Sequence, residues 1–202
     1  LYQVGDTRTF ALEGSVFAAG SMIKWLRDQL GLLAESGDSA ALARSVPDNG
    51  GVAFLPALSG LGAPYWQPDA TARITGLTFA STRAHIVRAA LESLSHVFVD
   101  LAAAFTADGA PWDVLKLDGG MSANDWLAQD LADMLKLRCQ RPQDIETTAR
   151  GSAMLAAVGA GLYTSLDDAA AMLPTVSEFM PRMDEAKRQE RLALWRSCLM
   201  AR

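Results

Sequence analysis

A glycine pair followed by serine and asparagine is the stretch of this sequence best suited to hold a ligand. It lies in Trp112-Asp-Val-Leu-Lys-Leu-Asp-Gly-Gly-Met-Ser-Ala-Asn-Asp-Trp126. Apolar Val114, Leu115 and Leu117 predict a short buried strand, which Gly119 and Gly120 end. Ser122 stands as the N-cap of a helix predicted over 123–137, where apolar residues recur at helical spacing. A strand that ends in Gly-Gly at a helix N-terminus leaves backbone N–H groups bare, and the helix dipole favours an anion or a polar ring there. Asn124 adds a donor and acceptors suited to a base or a ribose. The competing reading is a tight strand-to-helix turn with no ligand, and a lone Gly-Gly favours that reading.

A second candidate lies near the start of the chain. Residues 15–30 predict a helix whose apolar stripe is Val16, Phe17, Ile23, Leu26 and Leu30, with Gly31 as its stop. Gly20 then falls inside the helix, where glycine costs about 1 kcal/mol relative to alanine. Close approach of another element or of a ligand accounts for it, packing being the commoner reason. Lys24 sits one turn further along the same face.

These residues need a scaffold, and the sequence supplies an ordinary globular one. The chain has 202 residues, 50% of them hydrophobic and 20% charged, with a net charge of -5. That length is enough to bury a sizeable core, and the acidic balance argues against a nucleic-acid surface. Cys139 and Cys198 lie far apart and read as reduced, semi-buried residues of a cytosolic protein. No apolar run approaches the ~20 residues of a membrane span. The sequence opens on Leu1 and runs straight into strand-like residues, as a fragment with sequence upstream would.

In chain order, 1–12 predicts a strand or hairpin turning at Gly5-Asp6, and 35–44 a short helix between loops. Residues 52–58 predict a buried strand, and Ser59 to Pro68 an irregular loop. Tyr65 and Trp66 there read as anchors on the core ahead of a substrate wall. A strand over 73–78 leads to Thr82, the cap of a long helix reaching Phe105. His85 and His96 lack the neighbours of a metal site, and Glu92 reads as a solvated or capping charge. A strand over 138–141 ends at Pro142, and a helix runs from Thr147 or Thr148 to Gly161. The small residues of that helix, Gly151, Ser152, Ala153, Ala156, Ala157 and Gly159, indicate close packing first and access to a nucleotide second. A short helix over 166–173, a loop over 174–181 and an amphipathic helix over 184–200 complete the chain. In the last, Leu192, Trp195 and Leu199 face inward, and Lys187, Arg188 and Glu190 face water. The mixture indicates an α/β domain.

Several blocks, in order, resemble the C-terminal domain of the FGGY carbohydrate kinases, and within that family the glycerol-kinase branch. They are Phe10-Ala-Leu-Glu-Gly-Ser-Val-Phe-Ala-Ala-Gly20, Phe54-Leu-Pro-Ala-Leu-Ser-Gly-Leu-Gly-Ala-Pro-Tyr-Trp66, Gly76-Leu-Thr with the helix to Glu92, Leu117-Asp-Gly-Gly-Met-Ser-Ala-Asn124, and Glu146-Thr-Thr-Ala-Arg-Gly-Ser-Ala153.

The resemblance implies a ribonuclease-H-like, actin-like ATPase lobe, a mixed sheet flanked by helices. Residues 1–202 would form the C-terminal, nucleotide-holding lobe of a two-lobed kinase whose N-terminal catalytic lobe precedes this sequence. The implied reaction is phosphoryl transfer from ATP, with Mg2+, to a polyol hydroxyl, glycerol first. ATP or ADP and the polyol would be its partners, the protein would form homo-oligomers, and its place would be the cytoplasm. Carried over residue by residue, Gly20 and Lys24 flank the adenosine, while Gly120 and Asn124, with Gly119 beside them, hold the ribose and phosphate side. No residue here carries over as the catalytic base, and none as a metal ligand.

This sequence departs from the family where Lys24 replaces a glutamine and Asp125 an asparagine, a carboxylate that would repel phosphate or bind a metal-bound water. Lys187 replaces an acid in the segment through which some relatives bind a regulatory protein, so that regulation is not carried over. Two readings from other classes stand beside the kinase, a non-catalytic nucleotide-binding module and a purely structural interaction domain.

Overall fold

The computed structural model describes residues 2–4, 6–172 and 176–201. Leu1, Gly5, Leu173 and Pro174, which the sequence reading placed in a hairpin, a helix end and a loop, lie outside the described residues. The chain opens on an antiparallel hairpin, β1 (Tyr2–Val4) and β2 (Thr7–Thr9), as expected.

Helix α1 (Ala19–Asp28) begins later than the residue pattern suggests. Ala18, at φ 68°, takes the left-handed conformation and stops the helix from extending backwards. Val16 and Phe17 therefore leave the stripe. The Ser15 carbonyl accepts from Ala63 N at 2.9 Å, and this segment runs beside the Gly/Pro-rich loop instead. Met22, Ile23 and Leu26 form the buried stripe, while Leu30 is 42% exposed beyond the helix end. Gly31, at φ 63°, follows as the expected stop.

A 3-10 turn (Ser36–Asp38) leads into α2 (Ser39–Arg44). Strands β3 (Ala53–Leu55) and β4 (Arg73–Thr75) pair antiparallel. In the loop between them Tyr65 donates its hydroxyl hydrogen to Asp100, which also accepts from Trp195 Nε1 at 2.7 Å. Tyr65 is thus an anchor, and burial raises its pKa. Trp66 is not one, being 67% exposed.

Helix α3 (Arg83–Ala107) is the long axis of the fold. Thr82 and His85 cap it reciprocally, Thr82 N donating to His85 Nδ1 at 3.0 Å. Its apolar positions Val87, Ala90, Leu91 and Leu94 pack on Met22, Ile23 and Leu26 of α1, Phe54 of β3 and Leu127 and Leu131 of the next helix, forming the main core.

The second half is built on a mixed sheet of order β5-β6-β7. Strand β5 (Val114–Lys116) leads through α4 (Asp125–Leu135) to β6 (Arg138–Pro142), which pairs parallel to it. Strand β7 (Val176–Phe179) adds antiparallel to β6 and corrects the loop expected there. Between β6 and β7 lie α5 (Thr147–Gly159) and the short α6 (Leu166–Ala169). Helix α7 (Glu185–Met200), capped by Asp184, closes the fold and buries Leu192, Trp195 and Cys198. Both cysteines are free and buried. Burial pushes the Cys139 thiol up to about 11.

One charged residue contradicts its sequence reading outright. Glu92 is 2% exposed, a buried carboxylate in place of a solvated one, and Arg191 on α7, which the sequence reading passed over, is 7% exposed. Glu92 accepts from Asn49 Nδ2 at 2.7 Å and Arg88 Nε at 2.9 Å. Arg191 pairs with Asp130 through both terminal nitrogens, at 2.5 and 2.9 Å. Burial works against the Arg191 charge, but Asp130, and Glu92 behind it, outweigh that effect and hold its pKa above the ordinary value. Arg188 is likewise half-buried, its Nε donating to the Met134 carbonyl at 2.6 Å.

Candidate functional site

The site is assembled where the parallel strands β5 and β6 end, the side of such sheets on which ligands bind. Past β5, Leu117 N donates to Gln140 O at 2.7 Å and Gly119 N to Ile145 O at 3.1 Å, so the loops leaving the two strands run side by side. Thr147, which opens α5, donates to the Asp118 carboxylate and fixes that helix beside the same loops.

Gly119 has φ 73° and ψ 174°, a backbone conformation essentially reserved for glycine. From there the chain makes a 3-10 turn, Gly120–Ala123, before α4 begins. Ser122 does not cap the helix as expected. Its amide and its hydroxyl both donate to the Gly119 carbonyl, at 3.0 and 2.7 Å, and so close the turn. The cap is Asn124, whose Oδ1 accepts from Leu127 N at 2.9 Å. Its Nδ2 donates to Ser39 Oγ at 3.1 Å, tying α4 to α2. Most of the Asn124 amide is committed inside the protein, leaving one N–H of the two for a ligand.

The glycines themselves are open. A Cβ built at Gly119 or Gly120 meets nothing within 4 Å, so space stays open beside both glycines even though the Gly119 N–H and carbonyl are hydrogen-bonded within the protein. Gly20 lies in the first turn of α1, not in the helix interior that 15–30 implied. A Cβ there would sit 3.6 Å from Met121 Cγ, an ordinary contact, so packing does not demand the glycine. Met121 belongs to the Gly120–Ala123 turn, and through it the structure brings Gly20 to the glycine pair, about a hundred residues away along the chain. Lys24 is exposed one helical turn further on.

Asp125 does not stand as a lone carboxylate. Arg141, at the end of β6, pairs with it at 2.7 Å and also donates to the Ser122 carbonyl at 2.7 Å. The Arg141 guanidinium lies 5.2 Å from the centre of the Phe179 ring, on the β7 that the sequence reading missed. Helix α5 also differs from expectation. Ala157 is its one buried residue among those described, and a Cβ at Gly151 or Gly159 meets nothing within 4 Å. Of its small residues, Ala157 alone is packed away, and Ser152, Ala153, Ala156 and Gly159 leave a face open.

Two concave spaces of the lobe lie away from the turn. One of about 660 Å³ is lined by Gly50, Gly51, Arg88, Glu92 and Lys187, and one of about 300 Å³ by Trp126, Gln129, Asp133 and Arg182. Neither includes a glycine of the turn, Gly20 or Asn124. Among the described residues no group of three or more His, Cys, Asp or Glu could hold a metal ion, and no helix is long and apolar enough to cross a membrane.

A mixed sheet flanked by helices, with an open glycine turn where its parallel strands end, defines a lobe of the actin-like ATPase class. The chain belongs to the FGGY family of carbohydrate kinases, matching that family's C-terminal domain over residues 1–160. It is 46% identical over 198 residues to a glycerol kinase of Coxiella burnetii, covering 98% of this chain and 40% of the relative. It is 47% identical over 195 residues to a glycerol kinase of Gluconobacter oxydans, covering 96% and 38%. A Plasmodium falciparum glycerol kinase structure with ADP superposes with a TM-score of 0.82 at 31% identity, covering 91% of this chain and 37% of that one. A xylulose kinase from Rhodospirillum rubrum gives 0.73 at 29% identity, covering 89% and 37%. The chain thus spans about 40% of the length of the curated relatives it matches.

Proposed function

We propose that this chain is the nucleotide-binding lobe of a kinase that transfers the γ-phosphoryl group of ATP to glycerol. The observation that carries the reading is the meeting of Gly20 with the Gly119–Gly120 turn through Met121, with open space beside both turn glycines. A glycine turn with nothing over it accommodates a nucleotide without side-chain obstruction. In this reading Gly20 and Lys24 flank the adenosine, Gly119 and Gly120 approach the ribose and phosphates, and the free N–H of Asn124 donates to the same ligand. An open face is the form half of a cleft takes, and closing of a second lobe over it would exclude water during transfer.

Mg2+ would arrive with the phosphates, since the acidic groups near the turn are engaged by Arg141 and Thr147. The likeness to glycerol kinases, stronger than that to the xylulose kinase structure, supports glycerol as the acceptor. Residues 1–202 act as one domain, in a homo-oligomer in the cytoplasm, where ATP is available and Cys139 and Cys198 stay reduced.

The test is a coupled assay of ADP release by the intact protein with Mg-ATP and a panel of glycerol, xylulose and gluconate. Turnover of glycerol in preference to the others supports the reading. Turnover of a sugar alone moves the acceptor to another branch, and no turnover with any acceptor overturns the kinase.

A further inference from the structure

We infer that Arg141 is a positioning residue for the nucleotide, holding the glycine turn in its open conformation from behind. This rests on the nucleotide site proposed above and adds a residue that touches none of the ligand.

Arg141 is 17% exposed at its side chain and reaches three elements at once. Its Nη1 donates to the Ser122 carbonyl in the middle of the 3-10 turn and pairs with Asp125 in the first turn of α4, while the guanidinium stacks over Phe179 of β7. Ser122 in turn is buried and donates twice to the Gly119 carbonyl. The resulting chain of contacts runs from Phe179 through Arg141 and Ser122 to Gly119. It ends on the residue whose φ of 73° and ψ of 174° set the turn, with open space beside Gly119 and Gly120.

A planar guanidinium suits this task because it presents several donors in a rigid fork and stacks on an aromatic ring with the same group. An ammonium on a flexible stem keeps the charge but not the fork. Removal of Arg141 would free the Ser122 carbonyl and leave Asp125 an unpaired negative charge beside the phosphate side of the turn. Both changes act on the nucleotide and neither on the acceptor, which the proposed site leaves to the opposite lobe.

The experiment compares the intact wild-type protein with Arg141→Gln and Arg141→Lys, by calorimetric titration with Mg-ADP and by the KM for glycerol at saturating ATP. The expected result is a Kd for Mg-ADP raised about tenfold or more in Arg141→Gln and by less in Arg141→Lys, with the glycerol KM within about twofold of wild type. A Kd within twofold of wild type in a folded Arg141→Gln overturns the inference. So does a parallel rise of Kd and glycerol KM, the mark of a general loss of structure. Should Arg141→Gln not fold, Arg141→Lys decides alone: an unchanged Kd overturns the inference, and a rise confined to the nucleotide supports it. Wild-type protein that binds no Mg-ADP fails the nucleotide reading itself and takes this inference with it. Wild-type binding that Arg141→Gln leaves intact fails this inference alone.

Discussion

Asn124 and Ser39, 85 residues apart, are joined by a hydrogen bond from Asn124 Nδ2 to Ser39 Oγ of 3.1 Å, while the other end of the same amide caps α4. One side chain thus fixes the direction in which α4 leaves the glycine turn. Asn124→Ala removes both contacts and is expected to destabilise the protein by about 1–2 kcal/mol, read from urea unfolding. Asn124→Asp keeps the cap but loses the amide donor, and is expected to fall between alanine and wild type.

The two turn glycines separate stability from function. Gly119→Ala forces a side chain into φ 73°, at an expected cost of about 1–3 kcal/mol. Gly120 has no such backbone demand and no neighbour within 4 Å of a Cβ. Gly120→Ala is therefore expected to change the unfolding free energy by less than about 0.5 kcal/mol. Its methyl group would nevertheless stand on the open face, and Mg-ADP binding should weaken. Urea unfolding and nucleotide titration on the same samples check both halves.

The buried pair of Asp130 and Arg191 makes a third case. Asp130→Ala leaves Arg191 buried with Glu92 at 3.7 Å as its remaining counter-charge. The expected loss is about 3–5 kcal/mol, measured by urea or thermal unfolding. Replacing the pair together with apolar residues of similar volume, Asp130→Leu with Arg191→Met, is expected to recover most of that loss, because no unpaired charge then remains at the site.

His96 sets a pH dependence. It is 5% exposed, stacked on Trp195 with ring centroids 5.5 Å apart, and burial, with Arg191 nearby, lowers its pKa to about 3. In the unfolded chain it takes up a proton near pH 6.5, while the folded state refuses it until about pH 3. The unfolded state therefore binds more protons between these values, and stability is lost as pH falls below about 6.5. The slope from this one group approaches ~1.4 kcal/mol per pH unit. Unfolding midpoints at pH 7, 6 and 5 measure it, and His96→Phe, which keeps the stacked ring, is expected to flatten the profile.

Much of this arrangement is legible in the residues because it depends on near neighbours. The β5 strand, the glycine turn, the Thr82 cap and the amphipathic α7 follow from local pattern, and each stands within a few residues of expectation. The misses depend on distant partners. Glu92 pairs with Arg88 one turn back on the same helix, but it reads as solvated because Asn49, which donates to it, and Arg191, which adds a second positive charge, lie 43 and 99 positions away. Strand β7 is four residues long and earns its conformation by pairing with β6, not from its own alternation. Helix α1 is cut short by a left-handed alanine that no propensity scale signals. At the site, Gly119 and Gly120 are legible as a turn, but the cap read at Ser122 falls on Asn124, since both are good caps and only the extra 3-10 turn decides between them. Arg141 drew no notice, because nothing in its neighbourhood along the chain points to Ser122 or Phe179.

The central claim is that Gly20 and the Gly119–Gly120 turn form one nucleotide site. The most direct measurement is calorimetric titration of the intact protein with Mg-ADP, in wild type, Gly20→Leu and Gly120→Ala. The account predicts saturable binding by wild type, weakened by both substitutions in proteins that unfold at close to the wild-type urea concentration. Binding that neither substitution changes would contradict it, placing the nucleotide elsewhere on the lobe.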